Sequence, residues 1–198
     1  MSDATTRERM ISTAMTLFRR EGYQATSWRR LVEQAGTPWG SAYHHFPGGK
    51  EQLAVAAIEL GTAVVAKTVR RAFERNETVE DAVGWWYRKA GEALAADDYR
   101  GGCPLATITL EMAHASPAIT EACQDAFAAW HVLLVELLTG HGAENAEDLA
   151  TAIVNNLEGA LLVSRIRRSP DPLERAARHV ALVVGATRQS RAGTGERG

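Results

Sequence analysis

The sequence has almost no cysteine. Cys103 and Cys123 are the only two in 198 residues, and they do not form a CxxC pair. A disulfide framework and a cysteine-based zinc site are therefore not expected. No uninterrupted apolar run approaches the roughly 18 residues of a membrane-spanning helix, and no secretory pattern opens the chain. The expectation is a soluble, reduced, cytoplasmic protein. No stretch alternates convincingly with period two, so strands are not expected, and no internal repeat is visible. Nucleophile–base and metal-ligand constellations are lacking too, which argues against an enzyme and calls for no cofactor and no metal. His44 and His45 are adjacent, so on a helix they point about 100° apart and do not chelate as an i, i+4 pair does.

What is present is a globular composition, 45% hydrophobic and 23% charged. A chain of this length buries roughly 70% of the surface its unfolded form exposes, enough for a real core. The net charge of −2 is unevenly spread. Residues 1–50 hold seven Lys/Arg against four Asp/Glu, a formal +3, which leaves −5 for the remainder. A small basic N-terminal piece on an acidic body suits a polyanionic partner for the first segment alone.

Helical periodicity runs through the chain. Ile11, Ala14, Leu17 and Phe18 recur at three- and four-residue spacing, predicting a helix from about 5 to 21 that Gly22 stops. Thr26 and Ser27 can cap a second helix over about 27–35. Ala35-Gly36 breaks it, Pro38 suits the first turn of a third short helix, and Pro47-Gly48-Gly49 ends that one. A long helix follows from about 50 to 75, then helices at about 79–96, 104–114, 118–139, 145–168 and 171–188. The fold class is all-α, with nine helices.

Two short helices joined by an Ala-Gly break, behind a buttressing first helix, make a helix-turn-helix whose second member lies in the DNA major groove. The run "TSWRRLVEQAG", "TPWGSAYHHF" and "GGKEQL" resembles the TetR family of one-component transcriptional regulators. Gly22-Tyr23, Thr26, Leu31, Ala35-Gly36, Gly40, Tyr43, Phe46 and Lys50 fall on that family's pattern. "HHFPGGKEQL" (one Gly more than most relatives before the Lys), "GGCPLATITLEMA" at 101–113 and "NLEGALLVSRIRRSPDPLE" at 156–174 look like the LmrA/YxaF-type subgroup. The expected division is a DNA-binding domain over 1–50, a ligand-binding and dimerisation domain over 51–190, and a disordered tail over 191–198.

In the reader, Gly40 and Ser41 are small enough to let the third helix approach base edges, with Tyr43 and His44 one turn on and Thr37 and Trp39 at its entry. Arg29 projects from the first turn of helix two, and Arg on a guanine edge is the commonest specific contact. Lys50, with the free N–H groups at the start of its helix, makes a phosphate site, and Thr26 or Ser27 plays that part for helix two. Trp39 either meets a sugar or a thymine methyl or packs on Trp28, and the spacing fits both.

Beyond the reader, Val83, Trp86, Ala90 and Leu94 form one apolar stripe, and Ile119, Cys123, Ala126, Trp130 and Leu133 another. Stripes alone show a core. The resemblance implies that a small lipophilic or aromatic effector binds there, with Trp86, Phe127 and Trp130 as walls and Thr107, Thr109, Glu111, His131, Asn155 and Glu158 as polar handles. The last two helices carry wide apolar faces, and Ile153, Leu157, Leu161, Ser164, Leu173, Val180 and Val184 are the expected homodimer contacts, as the family's four-helix bundle implies. The expected function is a homodimeric repressor released from a palindromic double-stranded DNA operator by its effector. The alternatives are a ligand-independent regulator or activator, or a redox sensor using Cys103 and Cys123.

Overall fold

A computed structural model describes residues 5–192, with side chains described as far as Gly185. The described residues form α1 (Thr6–Glu21), α2 (Trp28–Gln34), α3 (Trp39–His45), α4 (Gly49–Arg75), α5 (Val79–Ala96), α6 (Pro104–Met112), α7 (Pro117–Gly140), α8 (Ala146–Arg167) and α9 (Asp171–Ala192). The fold is all-α, and the helix limits match the periodicity to within a few residues. Pro38 stands one place earlier than expected, as the N-cap of α3 at φ −61 and ψ 140. α9 continues through residues 191 and 192, while the rest of the expected tail, 193–198, lies outside the described residues.

The chain gathers into two compact units, residues 1–65 with 100–130 and residues 66–99 with 131–198, and the boundary falls inside α4 and inside α7. In the first unit α1 begins with a capping box: Thr5 Oγ1 accepts from Glu8 N, and Glu8 Oε2 accepts from Thr5 N. Such a box satisfies two of the donors a helix start leaves open. The inward face of α1, Met10, Ile11, Ala14, Leu17 and Phe18, is buried and packs against α2, α3 and α6. In the second unit α5 packs on α8 and α9, and α8 on α9. There the fully buried Tyr87 donates its hydroxyl to Ile153 O at 2.6 Å.

α4 is the one described helix long and apolar enough to cross a membrane by composition, with a window of mean hydropathy 1.4. Its Leu53, Ala54, Ala57, Ile58, Val69, Ala72 and Phe73 are buried in the protein.

Candidate nucleic-acid interface

The turn between α2 and α3 is built from small residues. Ala35 closes α2, Gly36 takes φ +59, a left-handed value that glycine adopts without strain, and Thr37 N bonds back to Val32 O. α3 then buries Ala42 and Phe46 against the core of the first unit, with the Arg7 guanidinium 5.7 Å from the Phe46 ring centroid. Side chains at i and i+4 share a face of a helix. Burying Ala42 and Phe46 turns Gly40, Tyr43 and His44 outward, and these three are exposed, as is Trp39 at the first position of α3. Ser41 is half-buried at the edge of that face.

The outward face is aromatic. Trp39 and Tyr43 are 46% and 51% exposed, and their rings stack with centroids 6.3 Å apart and planes 30° apart. Trp28 meets the same tyrosine at 5.5 Å, and its indole Nε1 is buried without a hydrogen-bond partner. The ring that Trp39 rests on is thus Tyr43, and Tyr43 meets both indoles. This leaves an open ring surface on α3 suited to sugars and thymine methyls.

Around α3 the polar candidates divide. Ser27 is the N-cap of α2, accepting from Arg30 N. Thr26 is buried and donates its hydroxyl to Gly22 O at 2.7 Å, so it pins the α1–α2 turn and is not presented to a phosphate. Thr37 is buried as well. Arg29 is exposed and paired with Glu33 at 2.8 Å. The hydrogen bond that Arg29 donates to Glu33, and the charge of Glu33, raise the Arg29 pKa, and an exposed pair of this kind is worth little and yields easily to a stronger anion.

Lys50 departs most from expectation. Its ammonium sits 3.9 Å from the Tyr23 ring centroid, half-buried, with its pKa pushed down by burial and supported by the charge of Glu111. Glu111 Oε2 in turn accepts from Gln24 N at 2.6 Å, and Gln24 Nε2 donates to Met112 Sδ at 3.4 Å. Gln24 is a contact that sequence reasoning missed, because only folding brings α6 to the α1–α2 turn.

The remaining expected site residues scatter. Glu111 serves the α1–α2 turn, accepting from Gln24 N. Thr107 donates to Cys103 O in its own helix. Trp130 is buried and donates Nε1 to Thr62 O at 3.1 Å, with Phe127 edge-on to it at 5.6 Å; both belong to the first unit. Trp86 is buried in the second. His131 Nε2 lies 3.2 Å from Thr151 Oγ1 and 3.3 Å from Glu147 O, Glu158 is half-buried, and Asn155 is exposed on α8. An open depression of about 450 Å³ at the α6–α7 turn is lined by His114, Ser116, Thr120, Glu121 and Gln124 among others, and none of the expected effector residues lines it. Among the described residues no group of three or more His, Cys, Asp or Glu is placed to hold a metal ion.

The expected dimer contacts face inward. Ile153, Leu157, Ser164, Leu173, Val180 and Val184 are buried within the second unit of a single chain, and Leu161 is half-buried. The apolar residues left outside are Leu162, Val163 and Ile166 on α8 and Leu182 and Val183 on α9. A periodicity argument finds an apolar stripe but not which of two adjacent stripes the chain covers itself.

The pattern described as "Bacterial regulatory proteins, tetR family" matches residues 10–57, and "Transcriptional regulator LmrA/YxaF-like, C-terminal domain" matches 80–179. The chain belongs to the TetR family. An HTH-type transcriptional regulator of Mycobacterium tuberculosis is 34% identical, over 85% of this chain and 88% of that protein. The HTH-type regulator YxaF of Bacillus subtilis is 28% identical, over 92% of this chain and 97% of its own. A crystal structure of a TetR regulator from Legionella pneumophila superposes with a TM-score of 0.81 at 22% identity, covering 92% of this chain and 99% of that one, and shows the shared fold. This TetR-family protein is accordingly a helix-turn-helix, DNA-binding transcriptional regulator.

Proposed function

We propose that this TetR-family chain is a cytoplasmic, homodimeric repressor that leaves a palindromic operator when a small lipophilic effector binds its C-terminal part, and that it catalyses no reaction. The observation that carries the DNA role is the exposure of Trp39, Gly40, Tyr43 and His44 on α3, the last three held outward by the buried Ala42 and Phe46. In this reading residues 1–50 read the duplex, with Arg29 and α3 facing base edges and Ser27, Ser41 and Lys50 beside phosphates, and residues 51–190 dimerise and bind the effector. The homodimer is supported by the outward Leu162, Ile166 and Leu182. Two-fold symmetry would then set half-sites about 34–36 Å apart.

For the effector, α6 and α7 of the first unit offer the better-supported place. Of the expected polar handles, Thr109 is the one whose Oγ1 is buried without an oxygen or nitrogen partner, beside the Cys123 thiol. The thiol is a weak partner for a buried hydroxyl, and a ligand oxygen or nitrogen would be a stronger one. The effector must bind the DNA-incompetent conformation more tightly, since equal affinity for both shifts nothing.

Duplex selection from a random library tests the reading. The protein should enrich a palindromic sequence whose binding weakens steeply with salt. Arg29→Ala and Trp39→Ala should each broaden the base preference by about 1–3 kcal/mol at the position they face. Failure to enrich any duplex at low salt would end the proposal.

A further inference from the structure

The α1–α2 turn is built to hold an anion. Gly22 stands at φ 89, and a Cβ on it would lie 2.0 Å from Glu111 Oε1, so the carboxylate occupies the space that a side chain would fill. Glu111 Oε2 accepts from Gln24 N at 2.6 Å. The Lys50 ammonium lies over the Tyr23 ring of the same turn at 3.9 Å, close enough for the charge of Glu111 to favour its protonated form against the burial that opposes it. A notch without a side chain, a backbone donor and a cation together make the three elements of an oxyanion site. All belong to the segment that presents α2 and α3, while the anion in it comes from α6.

We propose that this notch is a phosphate site of the reader, filled here by the protein's own Glu111, so that a backbone phosphate of the duplex and the Glu111 carboxylate compete for Gln24 N–H and Lys50. Both are oxyanions that can accept from the Gln24 N–H through one oxygen, and the charge of either one favours the protonated form of the nearby Lys50. Lys50 stands at the start of α4 with its ammonium over the Tyr23 ring and within range of the Glu111 charge, so a phosphate that draws on it does so at the expense of Glu111. Glu111 thus lowers the affinity of the reader for any duplex, irrespective of base sequence, by an amount that removal of its charge alone would recover.

The inference rests on the N-terminal helices reading duplex DNA, and its test separates the two. The probe is a duplex enriched by the wild-type protein from a random library, followed by fluorescence anisotropy over a series of salt concentrations. Glu111→Gln keeps the shape and the acceptor for Gln24 but drops the charge. It should bind about two- to fivefold tighter, the span of a partly exposed charge–charge interaction. Lys50→Met should bind more weakly, with the slope of log affinity against log salt reduced by about one. Adding Glu111→Gln to Lys50→Met should bring no gain. An equal gain in both backgrounds overturns the proposal, since the effect would then be general charge and not release of Lys50. So does unchanged affinity in Glu111→Gln, which would make Glu111 only a fastening between α6 and the turn. If Glu111→Gln does not fold, the backbone amide resonance of Gln24 in the wild-type protein decides. It should move when duplex is added, and an unmoved resonance overturns the proposal. A wild-type protein that enriches no duplex defeats the reader itself, a result distinct from a reader indifferent to Glu111.

Discussion

Replacing Ile166 with Glu should separate the dimer without harming the fold. Ile166 is 82% exposed on α8, Leu162 68%, and Leu182 on α9 72%. Fully burying one such side chain yields about 1.5–3 kcal/mol, so closing all three returns roughly 3–6 kcal/mol per protomer and, by two-fold symmetry, about twice that per dimer. Association itself costs an estimated 4–15 kcal/mol, so the strip is close to the minimum that sustains a dimer. Ile166→Glu removes about 2–5 kcal/mol of burial over the two copies and asks two carboxylates to lose water. The dissociation constant should rise at least about a hundredfold. Gly159 stands one turn before Leu162 and Val163 with open space where a Cβ would go, so the partner helix can approach closely there. Sedimentation velocity at micromolar concentration reads the assembly, a thermal melt reads the fold, and a gel shift reads operator binding, which should fail with the dimer. Leu157→Ala is the contrast, because Leu157 is only 6% exposed within its own chain; it should cost about 2–5 kcal/mol of stability through the cavity it leaves. An unchanged dissociation constant for Ile166→Glu, or a monomeric wild type, refutes the reasoning.

Two further outcomes follow from the buried groups. Tyr87→Phe removes the hydroxyl that Ile153 O accepts and should cost about 1–2 kcal/mol, read as a melting point lower by roughly 2–8 °C. Burial, and next the charge of Glu158, push the Tyr87 pKa above its ordinary 10.0. Its contribution is therefore complete below pH 10 and is lost as pH rises beyond, and Tyr87→Phe should abolish that alkaline loss. Cys103 and Cys123 are both buried and in no disulfide, and burial raises the Cys123 pKa against a smaller opposing effect of the Thr109 hydrogen bond. Thiolate is the reactive form, so a thiol reagent at neutral pH should label Cys123 far more slowly in the native protein than after unfolding. Rapid native labelling that abolishes operator binding would instead support a redox sensor.

The helices were legible because each carries its own punctuation. Gly22, Gly36 and Gly49 take positive φ at the three breaks of the N-terminal segment, Ser27 and Thr78 cap the helices that follow them, and Pro104 opens α6. These are local instructions, readable within a few residues. The outward face of α3 was legible for the same reason. Once Ala42 is assigned to the core, a period of 3.6 leaves Gly40, Tyr43 and His44 away from it, whereas Trp39, seven residues before Phe46, falls near the buried side and owes its exposure to its place at the start of the helix.

Side-chain commitments across the chain were not legible, and Glu111 shows why. In the sequence it is one polar residue after the apolar turn of "TITL", which suits a ligand handle as well as any other use. What decides its role is Gly22, 89 residues earlier, and Gly22 is marked in the sequence as a helix stop and a position of the family pattern, neither of which points to Glu111. Its second property, a space into which another carboxylate fits, exists only when α6 lies against α1. The same holds for Leu162 and Leu157. Both are leucines on one amphipathic helix, five residues apart, and nothing local says which faces its own α9 and which is left for a partner. Periodicity assigns residues to faces of a helix, whereas the packing of α5 and α9 on α8 assigns those faces to neighbours. A site that depends on the second assignment can be read only from the fold, which is why Glu111→Gln and Ile166→Glu, neither of them suggested by the motif, are the substitutions that test function most directly.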